Sequence, residues 1–198
     1  KKILLIVSGG IAAYKSLELV RLLKERDFCV QPVMTTSATN FITPLSLSVL
    51  SGESIPLKLH DLDTEMGFGH IELSRQADLV VVAPATANVL AKMSNGIADD
   101  LASNILLATD KPVLVAPAMN VRMWTHNATK RNIEQLTVDG AKFIGPDEGL
   151  MACGEFGYGR MADPIKIVTA IKNQLRIGKA TSLSGKRILV TSGPTEEP

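Results

Sequence analysis

The sequence predicts an α/β fold, a parallel sheet with helices on both sides, and two observations carry the prediction. Short apolar, β-branched runs recur without the polar alternation of a half-exposed strand, as suits strands buried on both faces. Between them lie longer stretches whose apolar residues fall at helical spacing, so strand and helix alternate in the manner of βαβ units.

The first strand is read in ILLIV (3–7), followed by a two-glycine turn and a helical pattern in IAAYKSLELVRLLKER (11–26). CVQPVMT (29–35) and LVVVAP (79–84) are the next strands, and ATANVLAKMSNG (85–96) and DDLASNILLAT (99–109) the next helices. VLVAP (113–117) is the fourth strand. ATKRNIEQLTVDG (128–140) is a helix closing on Gly140 as its C-cap, and KFIG (142–145) is the fifth strand. After the helix DPIKIVTAIKNQLR (163–176), the segment IGKATSLSG (177–185) loses apolar periodicity; KRILVTSGPTEEP (186–198) then starts a new strand and glycine turn. Residues 1–176 are therefore expected to form one domain, 177–185 a linker, and 186–198 the truncated opening of a second.

With 198 residues, 45% of them hydrophobic, the chain is long enough for one substantial core. A net charge of +1 gives no electrostatic case for nucleic acid or an acidic membrane surface, so an anionic ligand must be held locally. Only two cysteines occur, Cys29 and Cys153, which argues against a disulfide scaffold and for a reducing, cytoplasmic setting. No apolar stretch reaches the roughly 18 residues of a membrane span, and no targeting signal is read.

In such a fold ligands gather at the carboxyl ends of the strands, which here read SGGIA, TTSAT, PATAN and PAMN. The glycine turn at Ser8, Gly9 and Gly10 can cradle a phosphate with backbone amides at a helix start, or can simply be a tight βα turn. It lacks the third glycine of a dinucleotide fingerprint. Ser37 and its neighbouring hydroxyls can serve the same anion or cap a helix. His70 stands in GFGHIELSRQAD, and with histidines only at 60, 70 and 126 no metal cluster is visible; His60 and His126 are read as structural or solvated. Asn120, in PAMNVRMW, either caps the helix that follows or faces a polar ligand. Cys153 lies among Gly149, Gly154, Gly157 and Gly159, a stretch expected to be a mobile, lid-like loop with a more reactive thiol than Cys29.

The segments SGGIAAYK, FITPLSL, GHIELSRQADLVVVAPATAN, PAMNVRMW and ACGEFGYGRMADP together resemble the flavin-containing cysteine decarboxylases. Within them the likeness is to the phosphopantothenoylcysteine decarboxylase domains of bifunctional decarboxylase/phosphopantothenate–cysteine ligases of bacterial coenzyme A biosynthesis, and 185–198 looks like a ligase start. The resemblance implies a Rossmann-like three-layer sandwich of flavoprotein type that binds FMN and assembles as trimers, or as a dodecamer of four trimers. It implies catalytic roles for His70, Asn120 and Cys153. Substrate contacts would come from Arg75, Asn120, Met123, Ala152 and Gly154, and FMN contacts from Ser8, Gly9, Gly10, Ser37, Thr86, Ala87, Asn88 and Met119. The implied reaction turns 4′-phosphopantothenoylcysteine into 4′-phosphopantetheine and CO2: the cysteine side chain is oxidised to a thioaldehyde that takes up the electrons left by CO2, and hydride is then returned. Two other readings stay open, a non-catalytic flavin-binding regulatory subunit and a decarboxylase of peptide C-terminal cysteines.

Overall fold

The computed structural model describes residues 1–57 and 69–175, residue 70 by its backbone alone. His60, the proposed linker at 177–185 and the proposed domain start at 186–198 lie outside the described residues.

The chain opens with strand β1 (Lys2–Val7), helix α1 (Tyr14–Lys24), strand β2 (Cys29–Met34) and helix α2 (Pro44–Ser51). It continues through α3 (Gly69–Gln76), β3 (Leu79–Ala85), α4 (Ala87–Asn95), α5 (Leu101–Ala108) and β4 (Val113–Pro117). The last third holds α6 (Val121–Thr125), α7 (Asn127–Val138), β5 (Lys142–Phe143), β6 (Asp147–Leu150), β7 (Phe156–Arg160) and α8 (Pro164–Gln174).

The first five strands form one parallel sheet in the order β2-β1-β3-β4-β5. Successive side chains of a strand point to opposite faces, and β1 feeds two cores accordingly. Ile3, Leu5 and Val7 pack with Leu19 and Leu23 of α1, Leu47 of α2 and Ile167 and Ile171 of α8. Leu4 and Ile6 pack on the other side with Leu90 of α4, Leu101 and Ile105 of α5 and Leu136 of α7. Three layers result, and each fully buried Ile or Leu contributes about 1.5–3 kcal/mol of burial free energy. Because β2 and β3 flank β1, the chain leaves β1 in opposite directions, and the crevice at the carboxyl ends of β1 and β3 is where this strand order receives a ligand.

Several elements differ from the sequence reading. The helix expected over 11–26 begins as a 3-10 turn at Ile11–Ala13. The strand expected over 142–145 pairs only at Lys142–Phe143, since Gly145 takes φ 76° and Pro146 has no N–H to give a ladder. The glycine-rich stretch expected to be a mobile loop is instead an antiparallel hairpin, β6 against β7, with pairs running from Asp147↔Arg160 to Leu150↔Phe156. Only its turn, between Leu150 and Phe156, is loop. The expected contrast between the two thiols is not one of burial, because Cys29 and Cys153 are both exposed. His126 caps α7, its Nδ1 accepting from the Ala128 amide at 3.1 Å. Among the described residues, no helix is long and apolar enough to cross a membrane.

Candidate active site

At the carboxyl edge of the sheet lies a cavity of 740 Å³, within the range of small-molecule and cofactor sites. Its floor is made by the strand ends, with Gly9 and Gly10 after β1, Ser37 after β2, Thr86 to Asn88 after β3, and Met119 and Asn120 after β4. The hairpin closes one side with Met151, Ala152, Cys153 and Arg160, and Met123 of α6 adds to the wall.

The floor is tight because backbones approach closely. A Cβ on Gly9 would stand 2.5 Å from Ser37 Oγ and 2.6 Å from the Ser37 carbonyl carbon, so only glycine lets the ends of β1 and β2 meet. Gly10 differs: its extended φ of −177° suits any residue, and an added Cβ would meet only Thr86 Cγ2, at 3.6 Å. Ser8 stands behind the wall, buried, where its hydroxyl donates to Pro84 O at 2.7 Å and accepts from the Thr86 amide at 3.1 Å. It pins the ends of β1 and β3 together. Thr86 in turn caps α4, whose amino end opens on the cavity through Ala87 and Asn88. Backbone amides and hydroxyls converging on a cavity fit a phosphate-bearing group. Replacing Gly9 by valine should therefore force β1 and β2 apart at this edge and leave a folded protein that no longer holds a phosphate-bearing ligand, measured as loss of the bound ligand's absorbance beside an intact far-ultraviolet spectrum. Retention of the full ligand absorbance would overturn this account of the floor.

Asn120 does two jobs at once. Its Oδ1 accepts from the Arg122 amide at 2.7 Å and so caps α6. That bond fixes which way the amide faces, and Nδ2 turns to the hairpin, donating to Glu155 Oε2 and reaching Cys153 Sγ at 3.4 Å. The thiol is itself 3.7 Å from Glu155 Oε2. Asn120, Cys153 and Glu155 thus form one cluster linking α6 to the hairpin turn. The hairpin is also held at its other strand, where the Met119 amide donates to Gly159 O at 2.9 Å. A Cβ on Gly159 would run into Met119 O and stand 2.6 Å from Met151 Cε.

The structure brings together Asn120, Met123, Ala152, Cys153, Met119, Gly9, Gly10, Ser37, Thr86, Ala87 and Asn88 on one cavity. Ser8, Gly154 and Arg75 are not on its wall. Arg75 sits one residue from the end of α3, just before Asp78, which binds Lys1 and the Lys2 amide at the amino edge of the sheet. His70 is in the first turn of the same helix, and its side chain lies outside the described residues. Sequence reasoning missed Glu155, Lys15 and Arg160. Lys15 and Arg160 line the cavity, and Lys15 Nζ donates to Met161 O at 3.1 Å. Burial, and next the nearby Arg160 guanidinium, hold the Lys15 ammonium below its usual range. No group of histidine, cysteine or acidic residues able to hold a metal occurs among the described residues.

Compared with known proteins, residues 1–176 match the Flavoprotein family. The chain belongs to this family. The family match supports a flavin cofactor for this chain. Among relatives of this flavoprotein, the coenzyme A biosynthesis bifunctional protein CoaBC of Escherichia coli strain K12 is 48% identical over 198 residues, all of this chain and 48% of the relative. The chain spans about half the length of the curated relatives it matches. Among solved structures, a cysteine-to-serine mutant of PPC decarboxylase complexed with pantothenoylaminoethenethiol superposes with a TM-score of 0.81 at 35% identity, covering 88% of this chain and 98% of that one. The FMN-dependent cysteine decarboxylase SpaF superposes with a TM-score of 0.77 at 30% identity, covering 88% and 97%.

Proposed function

We propose that this chain is an FMN-dependent decarboxylase that converts 4′-phosphopantothenoylcysteine to 4′-phosphopantetheine and CO2 in coenzyme A biosynthesis. The observation that carries this reading is the placement of Asn120 Nδ2 and Cys153 Sγ 3.4 Å apart on the wall of a cavity whose floor is a phosphate cradle. The likeness to CoaBC, to PPC decarboxylase and to FMN-dependent cysteine decarboxylases supports it. A site that kept only flavin binding would have no use for a thiol and an amide so placed, which speaks against a purely regulatory subunit.

Gly9, Gly10 and Ser37 would hold the FMN phosphate, while Thr86, Ala87, Asn88 and Met119 would line its ring system. Bound FMN would supply the electron sink that a cysteine-derived carboxylate lacks, by oxidising the substrate's side chain to a thioaldehyde and later returning hydride. The rest falls to the chain's own residues. Asn120 holds the reacting carboxylate through Nδ2, pre-oriented by the bond that Oδ1 makes to the Arg122 amide. The hairpin and Met123 keep water from the reacting carbon. Cys153 Sγ gives up its proton to the product skeleton after CO2 has gone.

His70 and Arg75 would reach a site from a neighbouring copy, in the trimer or dodecamer we propose for the assembly. Exposed apolar side chains at Ile11, Tyr14, Leu45 and Val49 support self-association. Residues 186–198 are read as the start of a ligase domain after a linker at 177–185. The test is direct. The purified chain should show a flavin spectrum and release CO2 on addition of 4′-phosphopantothenoylcysteine, followed by mass spectrometry. A flavin-bearing protein that releases no CO2 would end the decarboxylase reading, and a colourless one that turns over would end the flavin chemistry.

A further inference from the structure

Glu155 carries a charge for which the fold has no evident need. The residue is half-buried in the hairpin turn and is not on the cavity wall, whereas Asn120 and Cys153 both are. Among the described residues its carboxylate forms no ion pair. What it has instead are an amide and a thiol: Asn120 Nδ2 donates to Oε2, and Cys153 Sγ lies 3.7 Å from the same oxygen. Its main chain is held as well, since the Met151 amide donates to Glu155 O at 2.8 Å and the Gly154 amide to Met151 O at 2.9 Å. A partly buried carboxylate without a cation is costly, and a turn that needed only docking would be served by a glutamine, whose carbonyl accepts the same N–H.

The bonds of Asn120 show where that charge acts. Oδ1 is taken by the Arg122 amide, and Glu155 takes one of the two hydrogens on Nδ2. A planar amide anchored at both ends has its last donor fixed in direction. That remaining N–H is all Asn120 can offer the cavity, and it is the one that faces Cys153 Sγ, 3.4 Å away on the same wall. A substrate carboxylate that takes it stands on the same nitrogen as Glu155. With both acceptors about 2.9 Å from Nδ2 and about 120° apart, their oxygens are about 5 Å from each other. Two carboxylates so close repel.

We infer that Glu155 is a positioning residue for the decarboxylation step: it turns a single Asn120 hydrogen to the cavity and sets a fixed negative charge across Nδ2 from the reacting carboxylate. The assignment rests on the decarboxylase reading and deepens it. When the bond from Cα to the carboxylate carbon breaks, its electron pair forms the new carbon–carbon double bond, the thioaldehyde C=S becomes an enethiolate, and CO2 leaves neutral. The negative charge thus moves from Nδ2 to the sulfur. Repulsion from Glu155 is present in the bound substrate and relieved as CO2 departs, so it raises the starting state of this step more than its transition state. A neutral amide at 155 would keep Asn120 pinned and lose the relief.

The test uses the flavin-loaded protein and two probes, each followed by the shift it causes in flavin absorbance. One is 4′-phosphopantothenoylserine, which keeps the carboxylate but has a hydroxyl in place of the thiol; the other is 4′-phosphopantetheine, which has no carboxylate. Glu155→Gln should bind the serine compound about tenfold more tightly than the wild type and 4′-phosphopantetheine equally well. It should also release CO2 from 4′-phosphopantothenoylcysteine about tenfold more slowly in a single turnover, an effect below the Coulomb limit because the turn is partly open to water. Glu155→Ala, which frees the amide as well, should be slower by about a further tenfold. Unchanged or weaker binding of the serine compound by Glu155→Gln overturns the assignment, and so does tighter binding without slower release of CO2. A parallel change for both probes, or loss of flavin from both variants, makes Glu155 a contact of the fold alone and overturns it too. A wild type that releases no CO2 removes the decarboxylase reading itself and this assignment with it.

Discussion

Asn120→Asp should leave α6 capped and the flavin bound, yet lower kcat/KM by about 10²–10³-fold. The cap survives because an aspartate oxygen accepts from the Arg122 amide as Asn120 Oδ1 does, at 2.7 Å in the native protein. What changes is the other end of the side chain. Nδ2 donates to Glu155 Oε2, and in the proposed reaction it also donates to the substrate's carboxylate. An aspartate oxygen there is an acceptor facing two negative groups. At about 4 Å and an effective dielectric near 20, each such repulsion is worth up to about 4 kcal/mol, which sets the upper end of the expected loss. The two repulsions can be told apart. Adding Glu155→Gln to Asn120→Asp removes the one inside the protein but not the one against the substrate, so the double variant should regain order in the hairpin turn and remain catalytically poor. Single and double variants with near-normal kcat/KM would show that Asn120 is a helix cap and nothing more.

Cys153→Ser should change the product rather than merely the rate. The thiol is exposed in the hairpin turn, 3.4 Å from Asn120 Nδ2 and 3.7 Å from Glu155 Oε2, and serine can keep both contacts. Oxidation and loss of CO2 should therefore proceed. Proton delivery should not, because an aliphatic hydroxyl is a far weaker acid than a thiol. The expected outcome is a bleached flavin spectrum and release of an unsaturated enethiol about two mass units lighter than 4′-phosphopantetheine. Ordinary 4′-phosphopantetheine, formed at a rate close to wild type, would refute the proton-donor role and leave Cys153 as packing beneath the turn.

The first four strands of the main sheet were legible because each is a largely apolar run buried on both faces, and a parallel strand has little other way to be written. The hairpin was not legible. Gly149, Gly157 and Gly159 lower strand propensity, and each stands where another group passes close, the Arg160 side chain at Gly149, the Val121 side chain at Gly157 and the Met119 carbonyl at Gly159, contacts that periodicity does not encode. At Asn120 the residue type alone left a choice between cap and ligand; the structure spends the oxygen on the cap and turns the nitrogen to the hairpin, so the two readings do not compete. Glu155 escaped notice because an acidic residue in a glycine-rich stretch carries no pattern, and only folding brings it to Asn120. Arg75 shows the opposite limit. The resemblance implied a substrate contact for it, and the structure places it near the end of α3, off the cavity wall.

Gly9 against Ser37 and Gly159 against Met119 have one more implication, for altering what this protein accepts. At both places main chain is brought to near-contact with main chain, Ser37 at Gly9 and Met119 at Gly159, so trimming the neighbouring Ser37 and Met151 side chains would leave the backbone limit in place. A larger flavin analogue or a bulkier acyl group cannot be admitted there by point substitution. Reach along the hairpin is different, since four residues added symmetrically, two to β6 and two to β7, would lengthen it by about 6.6 Å while preserving both the pairing and the face that each side chain takes. Selectivity in this scaffold is therefore fixed in width and adjustable in length, and insertions rather than replacements are the changes by which related chains could come to serve substrates of other spans.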